Sequence, residues 1–314
     1  MTKLAALPLA AIALAFSVIS SQAQDGAAYT VVESGRQFSR LQDAVSAIGG
    51  GTGTIRVASG VHQDCAVQTA GQIAYVAGAP GQAIFDGVTC EGKAALVLRG
   101  TSASVEGLVF THMRVPDFNG AGIRLEHGDL TVTQSWFRDS QQGILTGPDP
   151  DGRITVDKST FTRLGTCEGA GGCAHSIYVG DYGSTKVTRS RFEAGRGGHY
   201  LKSRAAHIDI EECSFDDSAG HQTNYMIDLP GGATGRIAGN WFVQGSNKEN
   251  HSAFIALGAE GKANSSAGLV IEDNDARFAP NVPWPSVFVA DWSGDPIQIG
   301  RNKLDPKLTV KERR

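Results

Sequence analysis

A phenylalanine recurs along the chain at nearly regular intervals, and this repeat limits the possible folds more than any other feature. In most passes a small residue stands two positions before the phenylalanine, and a polar or glycine-rich turn follows it. The recurring residues are Phe110, Phe137, Phe161, Phe192, Phe215 and Phe242, spaced 23 to 31 residues apart. A quasi-period of this length is typical of a solenoid with stacked coils rather than of separate domains.

Short alternating segments lie on both sides of each phenylalanine. Residues 208–210 and 227–229, which flank Phe215, read apolar-polar-apolar. Such alternation places one set of side chains inside and the other outside a strand. A single coil cannot bury its apolar side, so we expect the coils to stack at a spacing of about 4.8 Å.

The start of the chain has the pattern of a secretory signal peptide, residues 1–23. Lys3 precedes an apolar run over residues 4–19, and a small-x-small cleavage site follows at residues 21–23. The run is short for a membrane anchor, and no later run is long enough to cross a bilayer. The pattern therefore predicts a mature domain, residues 24–314, that is periplasmic or secreted and has no membrane partner.

A helix is predicted before the repeat. Its apolar residues lie at helical spacing and end at three glycines, residues 49–51: Phe38, Leu41, Ala44, Val45 and Ile48. A helix in front of a β array suits a cap over the open end of the array. The last residues, 307–314, are charged, and we expect them to be loose.

The charge balance argues against nucleic acid as a partner. The chain has 28 Lys and Arg against 32 Asp and Glu, a formal net charge of −4, whereas nucleic-acid binders are usually strongly basic. One stretch departs from this balance, because residues 186–204 carry six basic side chains and the single acid Glu193. This stretch indicates either an anionic ligand or an ordinary solvated face.

Five cysteines in an exported chain allow two disulfides and one free thiol. Cys167 and Cys173 bracket a glycine-rich insertion, while Cys65 and Cys90 are separated by about one coil. Cys213 occupies the small-residue position before a phenylalanine, where an inward, inert thiol is expected.

Aligning the strands that follow the phenylalanines brings polar side chains together on three consecutive coils. The alignment uses the first inward aliphatic residue of each strand, from Ile123 to Val287. The next, outward positions are Arg124, Leu145, Tyr178, Lys202, Asp228, Ala256 and Phe288. His175, His199 and Tyr225 lie two places before the aliphatic residue, and Arg204 lies three places after it.

These groups match the needs of proton abstraction next to a sugar carboxylate. Arg204 would neutralise the carboxylate through its bidentate fork. Lys202 or His199 would be the base, given that burial or neighbouring cations lower the pKa of a lysine. Tyr178 or His175 would be the acid.

Four further residues are candidates for substrate binding. They are Arg124, Tyr200, Tyr225 and Asp228, with Asp228 also a partner that orients Lys202. The tyrosines are either sugar-stacking platforms or packing under a loop.

The opening helix, the strand and turn at residues 54–60 and the turn Asn240-Trp241-Phe242 resemble the pectate-lyase-like superfamily. The resemblance extends from Tyr29 to Leu304. It implies an all-β chain, a single-stranded right-handed parallel β-helix with an N-terminal capping helix. The superfamily includes lyases, hydrolases, esterases and epimerases that act on polysaccharides, and similar basic residues on the same face serve β-elimination in it, in some members with calcium. Together with the polar residues aligned above, the resemblance favours a lyase that cleaves a uronate-containing or otherwise anionic glycan by β-elimination. The signature strands of pectin methylesterases are absent, and residues 216–221 imitate only part of the polygalacturonase motifs.

Several alternatives stay open on the sequence alone. A glycoside hydrolase would use paired acids such as Asp216, Asp217 and Asp228, although the first two also suit a turn. An epimerase shares the first step of a lyase, and a carbohydrate-binding or structural β-helix needs no chemistry. Lys202 and Asp228 are equally explained by an ordinary salt bridge, and the histidine pair by a structural stack.

No cofactor is indicated. The two histidines lack a third zinc ligand, and no clear cluster of calcium ligands is present. A monomer is expected.

Overall fold

The computed structural model describes residues 27–314, and its backbone forms a right-handed parallel β-helix. Each coil has three short strands joined by corners, and equivalent strands of successive coils form three long sheets, here named A, B and C. The parallel β-helix that the sequence predicts is thus confirmed. The predicted signal peptide, residues 1–23, lies outside the described residues.

Sheet A has twelve strands. They are β1 (Tyr29–Val31), β2 (Arg36–Phe38), β3 (Thr52–Val57), β6 (Gln72–Ala77), β9 (Ser102–Glu106), β12 (Asp129–Thr133), β15 (Asp149–Asp157), β18 (Tyr182–Thr188), β21 (His207–Glu211), β24 (Thr234–Ala238), β27 (Val270–Glu272) and β30 (Gln298–Ile299). The first strand pairs antiparallel with the second and third, and from β3 onward the pairing is parallel.

Sheets B and C have ten strands each, all parallel. Sheet B consists of β4 (Gly60–His62), β7 (Ala83–Asp86), β10 (Leu108–Thr111), β13 (Trp136–Arg138), β16 (Thr160–Thr162), β19 (Arg191–Glu193), β22 (Ser214–Asp216), β25 (Trp241–Gln244), β28 (Asp275–Phe278) and β31 (Lys303–Leu304). Sheet C consists of β5 (Ala66–Gln68), β8 (Ala94–Leu98), β11 (Ala121–Leu125), β14 (Gln142–Thr146), β17 (Ile177–Val179), β20 (Leu201–Ser203), β23 (Ile227–Leu229), β26 (Ala253–Leu257), β29 (Ser286–Asp291) and β32 (Leu308–Arg313).

The recurring phenylalanines form one continuous stack in the core. Each is the central inward residue of a strand in sheet B, and neighbouring rings lie 4.8 to 5.5 Å apart. The stack runs through Phe85, Phe110, Phe137, Phe161, Phe192, Phe215 and Phe242. The predicted repeat is thus confirmed, and stacked aromatic rings stabilise the coil spacing beyond their area burial.

The small residues before the phenylalanines form a second ladder at the corner between sheets A and B. Backbone N–H groups at this corner donate to the side-chain oxygen of the next coil, as Ser135 does to Ser159 at 3.2 Å and Cys213 does to Asn240 at 2.9 Å. The residue before each position turns the chain with a left-handed φ, for example +47° at Arg189. Cys213 is buried and forms no disulfide, so its predicted inward position is confirmed. Burial raises the pKa of its thiol to about 12, and its inertness stays a prediction.

The N-terminal helix is α1 (Leu41–Ile48), and its apolar side lies against the first strands of sheets A and C. That it caps the coil stays a prediction. Both suggested disulfides are present, Cys65–Cys90 and Cys167–Cys173. Within residues 27–314, no helix is long and apolar enough to span a bilayer.

Two predictions near the C-terminus are wrong. Val289, not Val287, aligns with Ile255 in sheet C, so Phe288 points into the core instead of outward. The charged residues 308–313 are not loose, because they form β32, which pairs with β29 at the edge of sheet C. Its charged side chains suit an edge strand, since charges there disfavour pairing with another chain.

Candidate functional site

The predicted outward column of sheet C is in register. Paired positions in successive strands are Arg124, Leu145, Tyr178, Lys202, Asp228 and Ala256. Adjacent positions in parallel strands are about 4.8 Å apart, so the polar groups of three coils become direct neighbours. Asp228 and Lys202, however, are covered rather than projecting into solvent, with relative exposures of 3% and 8%.

Lys202 is held between two carboxylates. Its Nζ lies 3.2 Å from Asp228 Oδ2 and 2.6 Å from Glu260 Oε1. Burial disfavours the charged ammonium, but the two carboxylates outweigh burial and raise the pKa of Lys202 above its ordinary value. The expected lowering of this pKa is therefore wrong for the ligand-free protein, and Lys202 carries a proton at neutral pH.

The pKa of Asp228 is also raised, but burial rather than a neighbouring charge is the cause. Burial raises its pKa to about 6, although the ammonium of Lys202 opposes the rise. Its Oδ1 atom is buried without a hydrogen-bond partner. Asp228 lies beneath Lys202 and does not line the cleft, so direct substrate binding by Asp228 is not supported, whereas contact with Lys202 is confirmed.

Arg204 and Tyr178 form the second polar contact. Arg204 Nε donates to Tyr178 Oη at 3.0 Å, and the guanidinium also pairs with Glu260. The phenol proton must therefore point away from Arg204. Lys202 Nζ lies 5.8 Å from the centre of the tyrosine ring, so two cations flank this side chain.

The two histidines stack with ring centres 4.9 Å apart. The backbone N–H of His199 donates to His175 Nδ1 at 3.0 Å, which leaves the proton of a neutral His175 on Nε2. Burial, together with the charge of Lys202, lowers the pKa of His175 to about 3. His175 is therefore a neutral hydrogen-bond donor at the wall of the cleft.

His199 is more deeply enclosed. Its Nε2 lies 3.3 Å from Asp228 Oδ2, and its Nδ1 is buried without a partner. Burial and the neighbouring His175 lower the pKa of His199 well below its ordinary value. His199 does not line the cleft, and its backbone holds the ring of His175.

A cleft of about 340 Å³ lies over these groups. The connection from β10 to β11 contributes Phe118, the disulfide-closed loop contributes Gly169, and Glu260 comes from the loop after β26. A Cβ added at Gly169 would lie 3.4 Å from Phe118, so these two loops are in contact. The insertion closed by Cys167–Cys173 thus forms one wall of the cleft.

A neighbouring cavity of about 560 Å³ continues from the cleft. Tyr178 and Arg204 line both spaces, and Arg124 lines the second one. Arg124 is half-buried, and its Nε lies 3.5 Å from Glu126 Oε1. Together the two cavities form a groove across the outer side of sheet C.

The predicted role of Tyr200 in substrate binding is wrong. The side chain is 1% exposed and belongs to the core, where its hydroxyl donates to Asp217 at 2.8 Å. Tyr225 is half-buried and stacks on His199 with ring centres 5.5 Å apart, outside the cleft lining. Both tyrosines therefore pack the structure.

Sequence reasoning missed two acidic contacts. Glu260 lies 58 positions after Lys202 in an irregular loop, and no repeat position marks it. Asp217 was assigned to a turn, but it is fully buried and accepts hydrogen bonds from Lys248, Tyr200 and Thr223. Asp216 does form a turn, where its carboxylate accepts the N–H of Ser218.

Metal binding has no support from the arrangement of side chains. Across residues 27–314, no group of three or more His, Cys, Asp or Glu side chains is placed to hold an ion.

Comparisons with known proteins give only the fold. No protein-family model matches the chain, and no curated protein matches it. One similar solved structure is ORF18 of Geobacillus virus E2, with 13% identity and a TM-score of 0.48 over 87% of this chain and 57% of that protein. Another is the A-module of the mannuronan C-5 epimerase AlgE4 from Azotobacter vinelandii, with 12% identity and a TM-score of 0.38 over 87% of this chain and 91% of that module. The chain thus spans little more than half of the viral protein.

Proposed function

We propose that the chain is an exported enzyme that acts on a uronate-containing or otherwise anionic glycan, as a lyase that cleaves by β-elimination. The observation that carries this proposal is the convergence of Lys202 and Arg204 on one carboxylate beside Tyr178, at the floor of a cleft. Two cations focused on one carboxylate can neutralise the carboxylate of a uronate, and stabilising developing charge is usually the largest catalytic effect.

The sequence analysis predicts Lys202 as a base and Tyr178 as an acid, whereas the contacts favour Tyr178 as the base and Lys202 as the acid. Lys202 keeps its proton, so it suits the acid better than the base. Tyr178 Oη already accepts an N–H from Arg204, and a guanidinium in this position stabilises a phenolate. Tyr178 is therefore our candidate for the base.

The proposed step begins after Tyr178 has given its phenol proton to water in the cleft. Tyr178 Oη then takes the proton from the carbon next to the carboxylate, while Arg204 holds that carboxylate. The electron pair forms the new carbon–carbon double bond as the bond to the leaving sugar oxygen breaks, and Lys202 Nζ gives its proton to that oxygen. After product release, proton exchange with water returns Tyr178 and Lys202 to their starting states.

The remaining polar groups position this set. Asp228 accepts from Lys202 and keeps its ammonium in place. His175 presents its Nε2 proton to the cleft, where it can bind a sugar hydroxyl or carbonyl oxygen. Arg124 lies farther along the groove, where it suits a second acidic sugar of the chain.

Incubation with a panel of acidic polysaccharides tests the proposal, with the ultraviolet absorbance of unsaturated uronates as the readout. The wild type should produce this absorbance, and Tyr178→Phe should slow its growth at least about 100-fold, the effect of losing a general base. Tyr182→Phe is the matched control, because this buried tyrosine does not line the groove and its hydroxyl makes only a 3.4 Å contact with the carbonyl of Gly128. Wild-type protein that yields no unsaturated product from any substrate would contradict the lyase.

A glycoside hydrolase is the second candidate, because Asp228 and Glu260 have opposite pKa shifts. Burial raises the pKa of Asp228, whereas Lys202 and Arg204 outweigh burial and lower that of Glu260. Such divergence is typical of an acid and base pair. However, Lys202 Nζ lies between the two carboxylates, where the sugar would have to bind.

Product analysis separates the alternatives. New reducing ends without unsaturated product would favour the hydrolase, and deuterium uptake from heavy water without cleavage would favour an epimerase. Binding without any reaction would favour a carbohydrate-binding scaffold.

Export is supported by the two disulfides, which persist in oxidising compartments. Detection of the mature chain, cleaved after Ala23, outside the cytoplasm would test it.

A further inference from the structure

Glu260 occupies the position at which the carboxylate of a ligand would bind. Its Oε1 accepts from Lys202 Nζ at 2.6 Å, and its Oε2 pairs with Arg204. One carboxylate thus bridges the two cations in the ligand-free protein. The backbone N–H of Glu260 donates to the carbonyl of Pro230 at 3.0 Å, which holds the base of this side chain.

The side chain itself is free to leave. It is 46% exposed, in contrast to the enclosed Asp228 on the other side of Lys202. Its loop, residues 258–269, has glycines with left-handed φ on both sides, +75° at Gly258 and +109° at Gly261. The space around the neighbouring Gly261 is open as well, so this part of the loop faces solvent.

The local charges make Glu260 and a ligand carboxylate competitors. Lys202 and Arg204 are balanced by Asp228 and Glu260. A third carboxylate would leave one negative charge uncompensated near the floor of the cleft, unless Glu260 swings into solvent. A neutral sugar has no charge with which to replace it.

We infer that Glu260 is a specificity-determining residue, an internal competitor that admits carboxylate-bearing sugars and excludes neutral ones. The inference rests on the anionic ligand of the proposed function but not on its elimination chemistry. An acidic ligand must break the ion pairs of Glu260 with Lys202 and Arg204 before it can form its own. Part of its binding free energy is used in this way, so its apparent affinity is lower than it would be without Glu260.

Calorimetric titration with D-glucuronate tests this inference, with D-glucose as the neutral probe. Glu260→Gln keeps the shape of the side chain and removes its charge, so glucuronate should bind about tenfold more tightly, as expected for the loss of two competing ion pairs. Glu260→Asp, too short to bridge both cations, should give a smaller gain. Glu272→Gln removes a similar carboxylate from a pair with Arg236 on sheet A and should change nothing.

A second measurement follows the loop directly. In the wild type, glucuronate should speed amide hydrogen exchange over residues 258–269, because Glu260 releases its contacts. Affinity that is equal or weaker in Glu260→Gln, no binding by either protein, or an unchanged exchange rate would overturn the inference. Tighter glucuronate binding by Glu260→Gln, with no unsaturated product from the wild type, would support the role of Glu260 and contradict the lyase. Equal binding by Glu260→Gln and the wild type, with unsaturated product formed, would contradict the role of Glu260 and support the lyase.

Discussion

Two buried lysine–aspartate pairs, one between sheets B and C and one on sheet C, differ in how completely their atoms are bonded. Asp217 and the Lys248 side chain have no exposed surface, and Asp217 accepts four contacts, from Lys248, Tyr200, Thr223 and the N–H of Gly245. Lys202 instead lines a cleft, and Asp228 lies beneath it.

The pair at the cleft leaves buried polar atoms unpaired. Asp228 Oδ1 and His199 Nδ1 have no partner, and each such atom costs free energy. A fully bonded pair is what a structural contact requires, whereas unpaired atoms beside a cleft indicate a site arranged for a ligand or a reaction. The same two residue types thus serve different purposes in neighbouring coils.

The largest expected effect concerns the structural pair. Lys248→Met leaves the carboxylate of Asp217 buried without its counter-charge, so the free energy of unfolding should fall by about 3–5 kcal/mol. Chemical denaturation measures this change. Lys262→Met is the control, since Lys262 pairs with Asp295 at the surface and should have little effect. A loss no greater than that of the control would remove the contrast between the pairs.

The equivalent change at the cleft should affect activity instead. Lys202→Met removes the proposed acid and one of the two cations, so formation of unsaturated product should slow by about 100- to 1,000-fold. Stability should change little, because the buried carboxyl of Asp228 can take up a proton and Glu260 reaches water. A large loss of stability with normal activity would reverse the assignment of the two pairs.

A smaller effect is expected from Asp228→Asn, and it depends on pH. The pKa of Asp228 is about 6 in the folded protein against an ordinary 3.8, so the folded chain holds a proton that the unfolded chain has released between these values. The stability that this group contributes is complete below the lower value and is lost as pH rises through 6.

Asp228→Asn has no carboxyl group to ionise, so its stability does not fall in this way as pH rises. Wild type and Asp228→Asn should have similar stability near about pH 4, and the variant should be more stable by up to about 3 kcal/mol near about pH 8. His175, whose pKa is lowered to about 3, affects both proteins alike. Denaturation curves at both pH values measure the difference, and a variant that is less stable at the higher pH would show that the Lys202–Asp228 attraction exceeds the cost of burial.

Much of the fold and part of the site could be predicted because a solenoid converts sequence spacing into spatial neighbourhood. Once the phenylalanines mark the coils, a fixed number of residues separates stacked positions, and Tyr178, Lys202 and Asp228 fall into one column. The method failed where the marker is missing. Ala276 takes the place of the phenylalanine in β28, and without that marker the alignment of β29 was wrong by two residues, which placed Phe288 outside.

The sequence by itself determined the stacked coil, the phenylalanine and corner ladders, both disulfides and the order of polar residues along sheet C, because these depend on local periodicity. Only the tertiary structure decided what lies over that column. Irregular loops bring Glu260 onto Lys202 and Arg204 and bury Tyr200 against Asp217. Burial and charge at such contacts set each pKa, so whether Lys202 holds or releases its proton follows from neighbours that no repeat position reveals.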